Sequence, residues 1–320
     1  MYKTIMVPTD CSGFDREAIR VALRIAQKSE AKLRLVRVLT TGAYFGAGDG
    51  ADEFRATAAN VKRDRDNALS ELYALATECR READVDVTVT LETGPVADAL
   101  EGYVKRNDVD LVVISSHGRG GFSRLSLGSI ADALIRRTTV PVLIVKPAAS
   151  YLNPQVRGAF KRIVVPLDGS QLAEQILGPI ITLAVLEDSE IVLLSIIKRA
   201  DTNQDGDAVH KASWWEKDVA EAKAYLARVA QHTRASQLSV LTDVVIGNDV
   251  AEEIAAYAGR ENADLIAIAT HGRGGLSRVL KGSVADGLTR AARNCVLVFH
   301  PTAIEPKGQW SDSSRVEQVF

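Results

Sequence analysis

Ile5-Met6-Val7-Pro8-Thr9-Asp10-Cys11-Ser12 returns 158 residues later as Ile163-Val164-Val165-Pro166-Leu167-Asp168-Gly169-Ser170. Gly94-Pro95-Val96-Ala97 has its counterpart at Gly247-Asn248-Asp249-Val250-Ala251. The stretch Asp110 to Val145 matches Asp264 to Phe299 with 18 identities in 36 positions. Three matches in the same order, at offsets of 158, 153 and 154, mark a tandem duplication, and a period this long is that of a whole domain rather than of a solenoid unit. A 320-residue chain also exceeds what one hydrophobic core ordinarily holds. The expected division is a first domain over 1–147, a linker over 148–158, a second domain over 159–302 and a polar tail over 303–320.

Within the first copy, apolar runs at Thr4 to Val7, Leu33 to Leu39, Val85 to Leu91, Leu111 to Ser115 and Val140 to Val145 alternate with helical patterns. The runs are short, rich in Val, Ile and Leu and mostly unalternated, as strands buried on both faces of a parallel sheet must be. After the first run, Ser12 with Asp15 three residues on reads as a helix cap, and Ala18, Val21, Ala22 and Ile25 then line one helical face. A second helix is expected over about Val61 to Cys79, a third after Gly94-Pro95 and a fourth after Gly128-Ser129. Five strands with crossover helices predict an α/β, doubly wound sandwich in each copy. Gly178-Pro179 is expected to kink or split the first helix of the second copy. Gly42 to Gly50 and Asp201 to Asp207 follow the second strand of each copy and read as lids.

The fifth strand of each copy is apolar on both faces and ends its sheet, so as a bare edge it would invite aggregation. The simplest protection is for the two edges to pair within the chain.

Charge and composition narrow the partners. A formal net charge of -2 provides no field for a polyanion, and 5% aromatic residues leave few platforms for stacking bases, so nucleic acid is not expected. Three widely spaced cysteines, Cys11, Cys79 and Cys295, form no Cys-x-x-Cys pair and fit a reducing compartment. No apolar run approaches the roughly 18 residues of a membrane span, and Pro8 and Asp10 interrupt the N-terminus too early for a signal peptide. A cytoplasmic protein without membrane attachment is expected.

In doubly wound sheets a ligand sits at the carboxyl ends of the strands, where the strand order reverses. Asp10 and Asp168 fall at the end of the first strand of each copy, Gly94 and Gly247 at the end of the third, and His117-Gly118 and His271-Gly272 at the end of the fourth. A loop then leads to Gly128-Ser129 or Gly282-Ser283, which opens a helix. Glycine lets the main chain approach a ligand closely, and a helix N-terminus presents free N–H groups to an anion, so a phosphate chain suits the place. A glycine can also mark a turn and a serine merely cap its helix; retention of the pattern in both diverged copies points to the phosphate.

The strand-end aspartates in Pro8-Thr9-Asp10 and Pro166-Leu167-Asp168, with a Gly-x9-Gly-Ser loop in each copy, resemble the universal stress protein family. The resemblance implies a Rossmann-like fold akin to adenine nucleotide alpha hydrolases, and ATP, with or without Mg2+, as the ligand. In the family's nucleotide-binding branch the loop reads Gly-x2-Gly-x9-Gly-Ser/Thr. Gly118 with Gly128-Ser129, and Gly272 with Gly282-Ser283, fit it, while Ser115 and Ala269 stand where the first glycine would be. By the same resemblance Asp10 and Asp168 approach the adenine and ribose, and the main chain near Val38 and Ile196 meets the adenine edge. Asp168-Gly169-Ser170 has the usual turn, whereas Cys11 replaces its glycine in the first copy; if that position needs positive φ, cysteine costs about 1 kcal/mol there.

His117 and His271 read as hydrogen-bonding strand-end groups rather than general bases or metal ligands. For Arg119 and Arg273, as for Arg124 and Arg278, two readings stand: solvated loop charge, or closure over the triphosphate. No P-loop or nucleophile elbow is present, and no catalytic residue is assigned. The expected protein is an ATP-binding regulator of a stress response, an internal pseudo-dimer for which further homodimerisation and a signalling partner stay open. Two rivals are retained: a slow ATP hydrolase or nucleotidyl-transfer enzyme using Asp10 or Asp168, and an interaction module whose sites take no nucleotide.

Overall fold

The computed structural model describes residues 1–40, 51–116, 127–146, 160–198, 208–234, 236–270 and 283–301. The first half runs β1 (Thr4–Pro8), α1 (Arg16–Ser29), β2 (Lys32–Leu39), α2 (Ala51–Glu82), β3 (Val87–Thr93), α3 (Val96–Arg106), β4 (Leu111–Ser115), α4 (Ser129–Arg137) and β5 (Val142–Val145). The second repeats it as β6 (Arg162–Pro166), α5 (Gln171–Glu174), α6 (Leu177–Glu187), β7 (Glu190–Lys198), α7 (Ala208–Arg234), β8 (Ser239–Gly247), α8 (Val250–Arg260), β9 (Leu265–Ala269), α9 (Ser283–Ala291) and β10 (Cys295–Phe299). The linker, the tail and both lid segments named above lie outside the described residues.

The strands form one ten-stranded sheet in the order β3-β2-β1-β4-β5-β10-β9-β6-β7-β8. Pairing is parallel within each half and antiparallel only at the seam, where Leu143 faces Leu297 and Ile144 faces Val296. The two apolar fifth strands therefore cover each other's edges within the chain, and the expected five-stranded sandwiches share a continuous sheet. Alternate side chains of each strand feed opposite faces. Ile5, Val7, Leu33 and Leu35 join the core under α1, with Leu72 and Ala76 of α2, while Met6, Val36 and Val112 join the core under α3 and α4. Asp110 and Asp264 sit just before β4 and β9, where each carboxylate accepts main-chain N–H groups at the start of the neighbouring first strand, from Lys3 and Thr4 or from Lys161 and Arg162.

Two local expectations are corrected. Ser12 does not cap α1, which begins at Arg16. The chain between β1 and α1 is instead gathered by the Thr9 hydroxyl, which donates to the Asp15 carboxylate and accepts from the Cys11 amide at 2.9 Å. In the second half the matching serine does cap: Ser170 Oγ accepts from the Ala173 amide at 3.1 Å. The second-half helix is split, as expected, but upstream of Gly178-Pro179, between α5 and α6. Pro179 is the third residue of α6, where its missing N–H deprives the helix of nothing.

Candidate site at the strand ends

In each half the strand order reverses between the first and fourth strands, β1 beside β4 and β6 beside β9. Asp10 lies two residues beyond β1 and its Oδ1 accepts from the Ser12 amide at 2.9 Å. Asp168 stands two residues beyond β6 and accepts from the Ser170 amide at 2.9 Å and the Ser170 hydroxyl at 2.6 Å. The residue before each aspartate is tied to the second strand, Thr9 to Val36 and Leu167 to Leu194. Val38 and Ile196 lie half-buried near the carboxyl ends of β2 and β7, packed against the core that also lies under α3, α4, α8 and α9.

The fourth strand and the helix after its loop are pinned together in the first half. Ser115 ends β4; the Ser116 amide donates to Val145 at 3.0 Å, and the Ser116 carbonyl accepts from the Gly128 amide at 3.0 Å. Gly128 is the cap residue of α4 and carries no side chain to occupy the helix's first N–H groups, and Ser129 follows it exposed to solvent. A Cβ at Gly128 would lie 3.3 Å from the Ser116 carbonyl oxygen, so the close approach itself favours glycine. In the second half Ala269 ends β9 buried, the Thr270 amide donates to Phe299 at 2.9 Å, and Ser283 opens α9. His117, Gly118, Arg119, His271, Gly272, Arg273 and Gly282, with Arg124 and Arg278, lie outside the described residues.

The structure thus brings Asp10, Val38, Gly94, Ser115, Gly128 and Ser129 to one end of the first half-sheet, and Asp168, Ile196, Gly247, Ala269 and Ser283 to the matching end of the second. The turn after Asp10 does require positive φ: Cys11 is at +59° where Gly169 is at +82°. Burial pushes the Cys11 thiol above its ordinary range, which makes it a poor thiolate nucleophile. The sequence reading missed the Thr9–Asp15 contact and the Arg37–Glu71 ion pair close to Cys11. The signal available was their change between copies, since Leu167, Ala173, Ser195 and Tyr225 stand at the corresponding places.

The universal stress protein family matches residues 1–146 and 159–300, once for each half of the sheet. The chain belongs to that family. A universal stress protein of Mycolicibacterium smegmatis is 23% identical over 301 residues, covering 93% of this chain and 97% of the relative. One from Methanocaldococcus jannaschii is 28% identical over 147 residues, covering 46% of this chain and 83% of its own. The crystal structure of a universal stress protein from Archaeoglobus fulgidus superposes with a TM-score of 0.61 at 16% identity, over 93% of this chain and 98% of that one. That likeness extends across both halves of this chain.

Proposed function

We propose that this universal stress protein binds an adenine nucleotide at the carboxyl ends of its strands and works as a regulator rather than as a rapid catalyst. The observation that carries the reading is the start of α4. Its first N–H groups have no side-chain cap, and Gly128 draws them over the end of β4 beside the sheet's reversal point. Uncapped amides and the positive end of the helix dipole favour a phosphate there. The first-turn acid of α4, Asp132, is bonded to Arg136 at 2.9 Å, which moderates its repulsion of an anion. Gly94, at φ +121°, has nothing among the described residues within 4 Å of where a Cβ would stand, which suits a ribose or base beyond β2 and β3.

In this reading Asp10 meets the base and ribose, Val38 the adenine edge and the Gly118 loop the phosphates, with Asp168, Ile196 and the Gly272 loop at the matching places of the second half. Binding changes which partner the protein meets, in the cytoplasm and without membrane attachment; among the described residues no helix is long and apolar enough to cross a membrane. The test replaces Gly128 and Gly282 together by valine, which places a branched side chain where the phosphate must approach the amides. Calorimetry with ATP should show binding lost while circular dichroism shows the fold intact; unchanged affinity in the folded double variant would contradict the site.

A further inference from the structure

The two halves differ where their third strands end. In the first half the corner is Gly94-Pro95-Val96-Ala97, and Pro95 precedes α3 without a side-chain cap. One more residue stands in the second half, where Asp249 caps α8 by accepting from the Glu252 amide at 2.9 Å. Glu253 in the same first turn folds back over Gly247: its Cγ, Cδ and Oε1 occupy the space that a Cβ on Gly247 would need. The equivalent of Glu253 in the first half is Ala99, and no described residue comes within 4 Å of where a Cβ on Gly94 would stand.

The helices that frame the second cleft also come closer together. A Cβ on Gly287 of α9 would lie 2.6 Å from the Cβ of Ala251 in α8, a separation no pair of methyl groups tolerates. In the first half these positions are Ala133 and Ala97, so α3 and α4 must stand further apart where these residues face each other. Ala251 is the second residue of α8 and Gly287 the middle residue of α9, so the start of α8 is drawn against the body of α9.

We infer that the halves are unequal in occupancy: the first half takes the adenine nucleotide, and the second, narrowed by the Gly287–Ala251 contact and flanked by the Glu253 carboxylate, does not. The inference rests on the adenine-nucleotide reading above. A polyanion entering the second cleft would meet Asp249, Glu252 and Glu253 at one helix end, whereas the single first-turn acid of α3, Asp98, is ion-paired with Arg137. The narrowing acts on any nucleotide and the carboxylates act most on those with the longest phosphate chain. The second half then serves as the structural partner that covers the β5 edge.

The experiment is stoichiometry and location in the unsubstituted full chain. Calorimetry with ATP should give one nucleotide per chain, and photolabelling with 8-azido-ATP should mark peptides only from residues 1–146. Gly128→Val alone should weaken ATP binding by at least about 100-fold, as far as the Gly128→Val, Gly282→Val double variant does. Two nucleotides per chain, or label in both halves, overturns the inequality alone. A protein that binds no ATP and takes no label contradicts the adenine-nucleotide reading and removes this inference with it. Because labelling needs no substitution, the proposal stays testable if either valine variant fails to fold.

Discussion

Lys146, the residue after β5 in the first half, donates from Nζ to the main-chain carbonyl of Thr289 at 2.7 Å, at the C-terminal end of α9 in the second half. The same ammonium also donates to the Ala292 carbonyl. A first-half cation thus caps the helix whose other end begins at Ser283, and the seam is fastened by more than the β5–β10 ladder.

Burial pulls the Lys146 ammonium down to about 8, against a smaller upward influence of the neighbouring Cys295. A neutral amine keeps two N–H donors, enough for the two carbonyls. The sign follows from proton counting. Between about 8 and the ordinary lysine value the unfolded chain holds more protons, so this group makes stability rise with pH across that window. In urea unfolding from pH 7 to 9, the protein should gain stability relative to Lys146→Met as pH rises. A constant difference would show that Lys146 titrates normally. Cys79 and Cys295, pushed up to about 11 by burial, act in the opposite sense as pH nears and passes their ordinary value, and they are present in both proteins, so the comparison with Lys146→Met reads Lys146.

Glu187 is fully buried at the end of α6 and is met by Arg24 Nε and Lys28 Nζ of α1, each at 3.3 Å. Arg24 also stacks over the Phe160 ring, 4.9 Å from its centroid. Glu187→Gln removes the buried charge's half of this bridge between the halves, while both cations retain some access to water. A loss of about 2 kcal/mol is expected from denaturant unfolding, below the 3–5 kcal/mol of a wholly buried pair. A neutral result would mean that the bridge is replaced at no cost.

Cys11 at φ +59° predicts an ordered series. Cys11→Val, β-branched in a left-handed conformation, should be less stable than Cys11→Gly by at least about 1 kcal/mol. Equal stabilities would mean that the turn after Asp10 relaxes out of positive φ.

The strand scaffold was legible because each buried strand is a short Val, Ile and Leu run, and the repeat confirmed every placement by showing it twice. Gly128-Ser129 was legible as a helix start for the same reason. What escaped were contacts between residues with no shared periodicity. Thr9 reaches Asp15 across the turn where Ser12 was expected to cap; Lys146 crosses the seam; Glu253 folds back over Gly247 from the first turn of α8. Strand ends follow from local pattern, whereas the filling of the space above them is decided by tertiary neighbours.

With magnesium present, ATP should survive incubation with the protein for many minutes, since turnover at the usual enzyme rates of about 1 to 1,000 per second would consume it during mixing. Sustained hydrolysis above about one per second, lost on Asp10→Asn with Asp168→Asn, would instead place the protein among enzymes.

The central claim is that the strand ends hold an adenine nucleotide, and the most direct measurement is chromatography of what freshly purified protein releases on heat denaturation, followed by ATP calorimetry on the emptied chain. The account predicts an adenine nucleotide in the supernatant, or ATP binding once it has been removed. A protein that releases none and takes up none contradicts it.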